Sequence, residues 1–120
     1  MSELAFDRSC VFCRIAAREA PAEIVHESDT VVAFRDLHPQ APVHLLLIPK
    51  EHLASIADVE DRHGGVLADL IQAATHLARA EGIADSGWRL LSNVGRDGGQ
   101  TVFHLHFHLL GGRAMTWPPG

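Results

Sequence analysis

The sequence has no long apolar run. Its longest aliphatic stretch, Leu45-Leu46-Leu47-Ile48, is far too short to cross a bilayer. It has no basic excess either: ten Lys and Arg face fifteen Asp and Glu, for a formal charge of −5. The basic residues are scattered, which argues against a nucleic-acid-binding surface and leaves room for a small anionic ligand held by local donors. Cysteine is scarce, with only Cys10 and Cys13. That excludes a disulfide framework and turns attention to metal or redox chemistry at the pair. Repeats, low-complexity segments and linkers are absent. The opening Met1-Ser2-Glu3-Leu4 has neither the charged nor the apolar region of a secretory signal. The expectation is a soluble cytoplasmic protein of one domain, residues 1–120, with no membrane or nucleic-acid partner.

What is present is a core-forming composition, 47% hydrophobic and 21% charged. Cys10 to Arg18 reads as a short helix, closed before Pro21. Glu23 to His26 and Thr30 to Arg35 read as a hairpin, since Val31, Val32 and Phe34 prefer strands. Asp36 to Pro42 is a loop, because Pro39 and Pro42 forbid regular structure. Val43 to Pro49 is an apolar strand. Val66, Leu67, Leu70, Ile71, Ala74, Leu77 and Ala78 recur at the spacing of one buried helical face. Gly64-Gly65 leaves the start of that helix open, and Gly82 stops it. Trp88 to Asn93 is a strand, Gly95 to Gly99 a glycine loop, and Val102 to Leu110 the last strand. The class is α+β: about five mainly antiparallel strands, one long helix and one short helix. One sheet with one helix layer leaves surface uncovered, which favours a homodimer.

Nine histidines is a large number for this length. His26, His38, His63 and His76 have no constellation around them and read as surface residues. The run His104-Leu105-His106-Phe107-His108 differs. On a strand it places three imidazoles on one side and Phe103, Leu105, Phe107 and Leu109 on the other. A solvated face more often mixes Thr, Lys, Glu and Ser. A three-histidine metal centre fits poorly, because the backbones of His104 and His108 stand about 13 Å apart at roughly 3.3 Å per residue. Phosphate chemistry fits better: a neutral imidazole attacks, and protonated nitrogens hold phosphoryl oxygens. The preceding Asn93, Gly95 and Gly98-Gly99-Gln100-Thr101 offer donors for an anion.

These residues resemble the histidine-triad (HIT) family, whose signature alternates histidine with apolar residues. The resemblance extends through Phe34-Arg35-Asp36, Pro39-Gln40-Ala41-Pro42-Val43-His44, Ile48-Pro49-Lys50-Glu51-His52, Asp97-Gly98-Gly99-Gln100-Thr101-Val102 and Trp117-Pro118-Pro119-Gly120. These motifs look like the Hint branch, purine nucleoside phosphoramidases. The resemblance implies two α+β units pairing into a continuous sheet. It implies His106 as the nucleophile that forms a nucleotidyl-histidine on the α-phosphate, which water then resolves. His108 matches a position near the phosphate and leaving group, and His44 the fourth active-site histidine. Asp36 matches the carboxylate for the ribose hydroxyls, suited to them because it only accepts hydrogen bonds. Asn93, Gly99, Gln100 and Thr101 match the phosphate side, and Trp117 a tail residue reaching the partner subunit's site; Leu37 is a candidate wall of an adenine pocket, with core packing the alternative. Phe12, Ile15 and Val32 are further base-pocket candidates. Thr101 stands where this branch often has Ser, and Asn93-Val94-Gly95 where it often has Asn-Glu-Gly. No cofactor is expected in the chemistry.

The cysteine pair has spacing suited to zinc, although two ligands do not make a site. Two buried thiols are the plain alternative, and no thioredoxin-like pattern surrounds a redox pair. Microbial members that resemble this chain often hold a structural zinc, which implies Cys10, Cys13, His52 and His104 as its ligands and points to a bacterial-type protein. Two other functions stay open: a dinucleoside polyphosphate hydrolase of the same family, and a non-catalytic nucleotide- or zinc-binding interaction protein. The Gly111-Gly112 and Trp-Pro-Pro-Gly ending favours the phosphoramidase.

Overall fold

Period-2 alternation in three central strands builds two separate apolar faces, and the two helices cover one each. The computed structural model describes residues 5–120; the opening Met1 to Leu4, read above for its lack of a signal pattern, lies outside the described residues. Along the chain the elements are α1 (Val11–Ala16), β1 (Ile24–Glu27), β2 (Val31–Arg35), β3 (Val43–Pro49), two 3-10 turns (Ile56–Asp58 and Asp61–His63), α2 (Gly64–Ala80), β4 (Trp88–Leu91) and β5 (Phe107–Gly111). The strands form one antiparallel sheet in the order β1-β2-β3-β5-β4. Short connections make antiparallel neighbours natural; the longer links are the one carrying α2 and residues 92–106 between β4 and β5.

Val31 and Ala33 of β2, Leu45 and Leu47 of β3 and Leu109 of β5 point to one side. There they pack under Leu70, Ala73, Ala74, Leu77 and Ala78 of α2. Val32 and Phe34, Leu46 and Ile48 point to the other, against Phe12 and Ile15 of α1. The seventeen-residue α2 covers its face, but α1 has only six residues. Arg18, with a left-handed φ of 63°, closes α1 off. The sheet is therefore left open at the end where His44 and His108 stand.

The strand β3 falls where its apolar run placed it, and the hairpin and long helix also appear. Three local expectations are corrected. The last strand begins at Phe107 rather than Val102, so His104 and His106 precede it in irregular backbone. That backbone is tied by the Leu105 N–H to the Leu53 carbonyl at 2.6 Å and by the Ser92 hydroxyl to the His106 carbonyl at 2.6 Å. Phe103 consequently escapes the apolar face and is exposed. His63, read as a surface residue, is 1% exposed. Its Nδ1 accepts the Glu60 N–H at 2.8 Å and its Nε2 lies 3.3 Å from Glu51. It joins the 3-10 turn to the start of α2, a local cap that a search for site constellations overlooks.

Candidate active site

Cross-strand register brings the functional face together. Leu46 sits opposite His108 and Phe34, and His44 lies two pairs further along on the same face, opposite Leu110. A cavity of roughly 390 Å³ opens beside them, lined by Phe12, Ile15, Phe34, Leu37, Leu46 and Val102, with Asp36, Thr101, His106 and His108 among its polar residues. It has the apolar walls and few convergent polar groups of a small-molecule site. Of the expected base-pocket residues, Phe12, Ile15 and Leu37 line it, and Leu37 is 86% exposed at its rim. Val32 does not: it is fully buried in the core behind. Phe34 and Leu46 were not anticipated, because their role follows from strand pairing.

His106 is 6% exposed. Its Nδ1 donates to the His104 carbonyl at 2.7 Å. A carbonyl only accepts, so the proton is on Nδ1 and Nε2 carries the free lone pair. Phe12 packs edge-on against this ring, with centroids 5.2 Å apart and planes at 86°. The ring of His108 is 5.0 Å from that of His106. Its Nδ1 lies 2.9 Å from His44 Nε2, while its Nε2 is buried without a hydrogen-bond partner. Burial, with the neighbouring His106 and His44, pushes the His108 pKa down to about 4. Burial also lowers that of His44, against the pull of Asp36, whose carboxylate is 3.4 Å from His44 Nε2. The Asp36 carboxylate also accepts the His38 N–H at 2.7 Å.

The expected phosphate loop is turned inward. The N–H of Gly95 donates to Gln100 Oε1 at 3.0 Å, and that of Gly99 to the Arg96 carbonyl at 3.0 Å. Both Gln100 amide hydrogens are engaged, with the carbonyls of Ala54 at 2.7 Å and Val102 at 3.0 Å. Gln100 therefore shapes the loop and has no donor left for an anion, and Gly99 acts through the same turn, at a φ of 81°. Thr101 is the member of this group that lines the cavity. Asn93 is half-buried outside the cavity lining. Trp117 is 84% exposed, on a tail tied down by Arg89 through the Thr116 carbonyl at 3.1 Å.

Behind Phe12 lies a second cluster. One ligand atom from each of Cys10, Cys13, His52 and His104 falls within 4.8 Å of the others. His104 Nδ1 is 3.3 Å from Cys10 Sγ, 3.5 Å from Cys13 Sγ and 3.2 Å from His52 Nδ1, and His52 Nδ1 is 3.3 Å from Cys13 Sγ. A tetrahedral zinc has S···N edges of about 3.5 Å and N···N edges of about 3.3 Å, so the donor set fits that ion. The chemistry fits as well. His104 Nε2 donates to the Pro49 carbonyl at 2.9 Å, which leaves Nδ1 as a lone pair aimed at the cluster. Burial holds His104 neutral, with its pKa down to about 4, and pushes the Cys13 thiol up to about 11, so a thiolate there calls for a cation.

Comparison with known proteins agrees with this geometry. A family model described as "HIT domain" matches residues 17–115. The structure of a HIT family hydrolase from Legionella pneumophila superposes with a TM-score of 0.92 at 54% identity, covering 93% of this chain and 100% of that one. The chain is 47% identical over 105 residues to the purine nucleoside phosphoramidase of Escherichia coli K12, covering 88% of each. It is 46% identical over 116 residues to "Adenylylsulfatase HINT1" of Arabidopsis thaliana, covering 95% of this chain and 78% of that one.

The depressed His108 pKa has a consequence for stability. The folded state binds the proton only near pH 4, whereas an unfolded histidine binds it near about 6.5. The contribution of neutral His108 is therefore whole above that unfolded value, declines as pH falls, and is fully lost below the folded one. Denaturant titrations across this window should show stability rising with pH. In His108→Gln the slope should be shallower by up to about one proton per molecule. Equal slopes would contradict the assigned shift.

Proposed function

The chain belongs to the HIT domain family, and on that premise we propose that it hydrolyses purine nucleoside 5′-phosphoramidates to the nucleoside monophosphate and an amine. The observation that carries this reading is His106, held with Nε2 as a lone pair beside a cavity that His108, whose Nε2 is buried without a partner, also lines. The base lies among Phe12, Phe34, Leu37 and Leu46. Asp36 accepts from the ribose hydroxyls. Thr101 and His108 meet the phosphoryl group, with Asn93 and the Gly99-Gln100 turn shaping that side.

In the first step the Nε2 lone pair of His106 attacks the α-phosphorus. The P–N bond breaks, and its electron pair leaves with the amine nitrogen, which takes up a proton. In the second step water adds to phosphorus, loses a proton, and returns the electron pair of the P–Nε2 bond to His106. Splitting one displacement into two through a nucleophile of this kind is ordinary covalent catalysis. His106 keeps its Nδ1 proton on the His104 carbonyl throughout, which stabilises the cationic nucleotidyl-imidazole.

The similarity to an adenylylsulfatase favours a second reading within the same mechanism, with sulfate in place of the amine as leaving group. The attacking atom and the phosphoryl partners are unchanged, and only the departing group differs.

Cys10, Cys13, His52 and His104 are the residues that would hold a zinc ion. Such an ion supplies folding stability rather than reaction chemistry, since four protein ligands leave no open position. β4 is an edge strand, half-buried along its length. Pairing it with a second copy would extend the sheet, close that edge and carry Trp117 toward the partner's site.

His106→Asn should lose nucleoside monophosphate release by at least about 10³-fold while still binding nucleotide. Full turnover in that variant would remove His106 from its role. Competition among an adenosine phosphoramidate, adenylyl sulfate and a diadenosine polyphosphate should favour the phosphoramidate in kcat/KM; preference for either of the others would reassign the leaving group. Metal analysis should find about one zinc per chain, lost in Cys13→Ser.

A further inference from the structure

One feature of the loop between β2 and β3 has no role in the scheme above. Gln40 is an exposed residue whose backbone N–H donates to His44 Nδ1 at 3.0 Å. This contact fixes more than the position of a ring. A neutral imidazole has one proton and two nitrogens, so a nitrogen that accepts a hydrogen bond forces the proton onto the other. His44 is held neutral by burial. With Nδ1 accepting from Gln40, its proton is on Nε2, and Nε2 lies 2.9 Å from His108 Nδ1. His108 Nδ1 must then accept, and the only proton of neutral His108 is on Nε2, the buried atom without a partner.

We infer that the Gln40 backbone N–H is a positioning group that sets the proton polarity of the His44–His108 pair, so that His108 meets the phosphoryl oxygens as a fixed Nε2–H donor. Reversing the first contact reverses the chain. If the His44 proton moved to Nδ1, then Nε2 of His44 would accept from Nδ1–H of His108. His108 Nε2 would become a lone pair facing an anion, a repulsion in place of a hydrogen bond. Preorganised donors of this kind are worth most in a partly dry site, where no reorientation is needed during reaction.

The polarity also bears on what the cluster does not do. Asp36, His44 and His108 each offer a ligand atom within 4.8 Å of the others, a metal-like grouping inside the active site. A cation on His44 Nε2 would require the ring proton on Nδ1, where it would collide with the Gln40 N–H. The lock keeps this grouping for hydrogen bonding, whereas His104, with its proton fixed on Nε2 by Pro49, presents Nδ1 to the thiols. Asp36, 3.4 Å from His44 Nε2, favours the same tautomer, because its carboxylate accepts. The same backbone device recurs at His63, where the Glu60 N–H on Nδ1 turns Nε2–H toward Glu51.

This inference rests on the proposed function for the identity of the anion; the ring tautomers do not depend on it. The test is long-range ¹⁵N–¹H correlation of the histidine rings in the intact, nucleotide-free protein near neutral pH, with Gln40→Ala and Gln40→Pro beside it. Alanine keeps the backbone donor and proline removes it. In the unsubstituted protein, and in Gln40→Ala, His44 and His108 should both carry their proton on Nε2. In Gln40→Pro the His44 proton should redistribute to Nδ1 and that of His108 should follow. The kcat for the phosphoramidate should fall on the order of 10²-fold, with KM changed far less. An Nδ1–H tautomer at His44 or His108 in the unsubstituted protein would overturn the inference, and so would unaltered tautomers in a folded Gln40→Pro. Should the proline variant fail to fold, the unsubstituted spectrum decides alone. Tautomers as stated with no phosphoramidate turnover would support the lock and reject the substrate.

Discussion

An imidazole ring has two nitrogens and, when neutral, one proton, and the organisation of this protein follows from how the backbone engages one nitrogen at a time. A carbonyl takes the Nδ1 proton of His106, so Nε2 is left as a lone pair. Another carbonyl takes the Nε2 proton of His104, so Nδ1 is left for a metal. A backbone N–H occupies Nδ1 of His44, and Nε2 passes its donor on to His108. Burial keeps His104 and His108 neutral, down to about pH 4 in each case, and the single-proton rule therefore holds where the site would operate. Three residues of the same type in one short run thus present three different faces: a lone pair toward the thiols, a lone pair beside the cavity, and an imidazole paired with His44.

The fold supplies the frame for this arrangement through unequal helices. The long α2 seals one face of the sheet with Leu70, Ala74 and Leu77 against β2, β3 and β5. The six-residue α1 seals only part of the other. Phe12 of α1 stands edge-on to both His104 and His106, with centroids 6.0 and 5.2 Å away. It separates the thiol cluster from the cavity and lines the latter. Because Phe12 lies between Cys10 and Cys13, a cation on the cysteines would fix the helix that forms a wall of the cavity. A metal on the thiols and a ligand in the cavity would in this way be joined by one short helix.

Much of this was legible in the sequence where periodicity or residue chemistry is local. The apolar run Val43 to Pro49 and the hydrophobic spacing from Val66 to Ala78 gave their elements directly. The alternation through His104, His106 and His108 separated imidazoles from core, and the thiol and imidazole residues named together, Cys10, Cys13, His52 and His104, lie together in the structure. What was not legible depends on backbone hydrogen bonds between distant segments. The late start of β5 follows from ties to Leu53 and Ser92. The engagement of Gln100 follows from the carbonyls of Ala54 and Val102. The burial of His63 follows from a turn that places it against Glu51. Phe34 and Leu46 entered the cavity through strand register, and Gln40 acts through a main-chain atom that its side chain does not reveal. Trp117 can act only if a second copy brings its own site near, since within one chain it is exposed.

In the proposed reaction His106 Nε2 is the atom that takes the nucleotide. The most direct measurement is intact-protein mass after rapid mixing with an adenosine phosphoramidate and acid-free quench, followed by mapping of any adduct. A transient increase of one adenylyl group, located on His106 and decaying as AMP appears, is the expected result. AMP release with no adduct at any mixing time, or an adduct carried by His44 or His108, would contradict it.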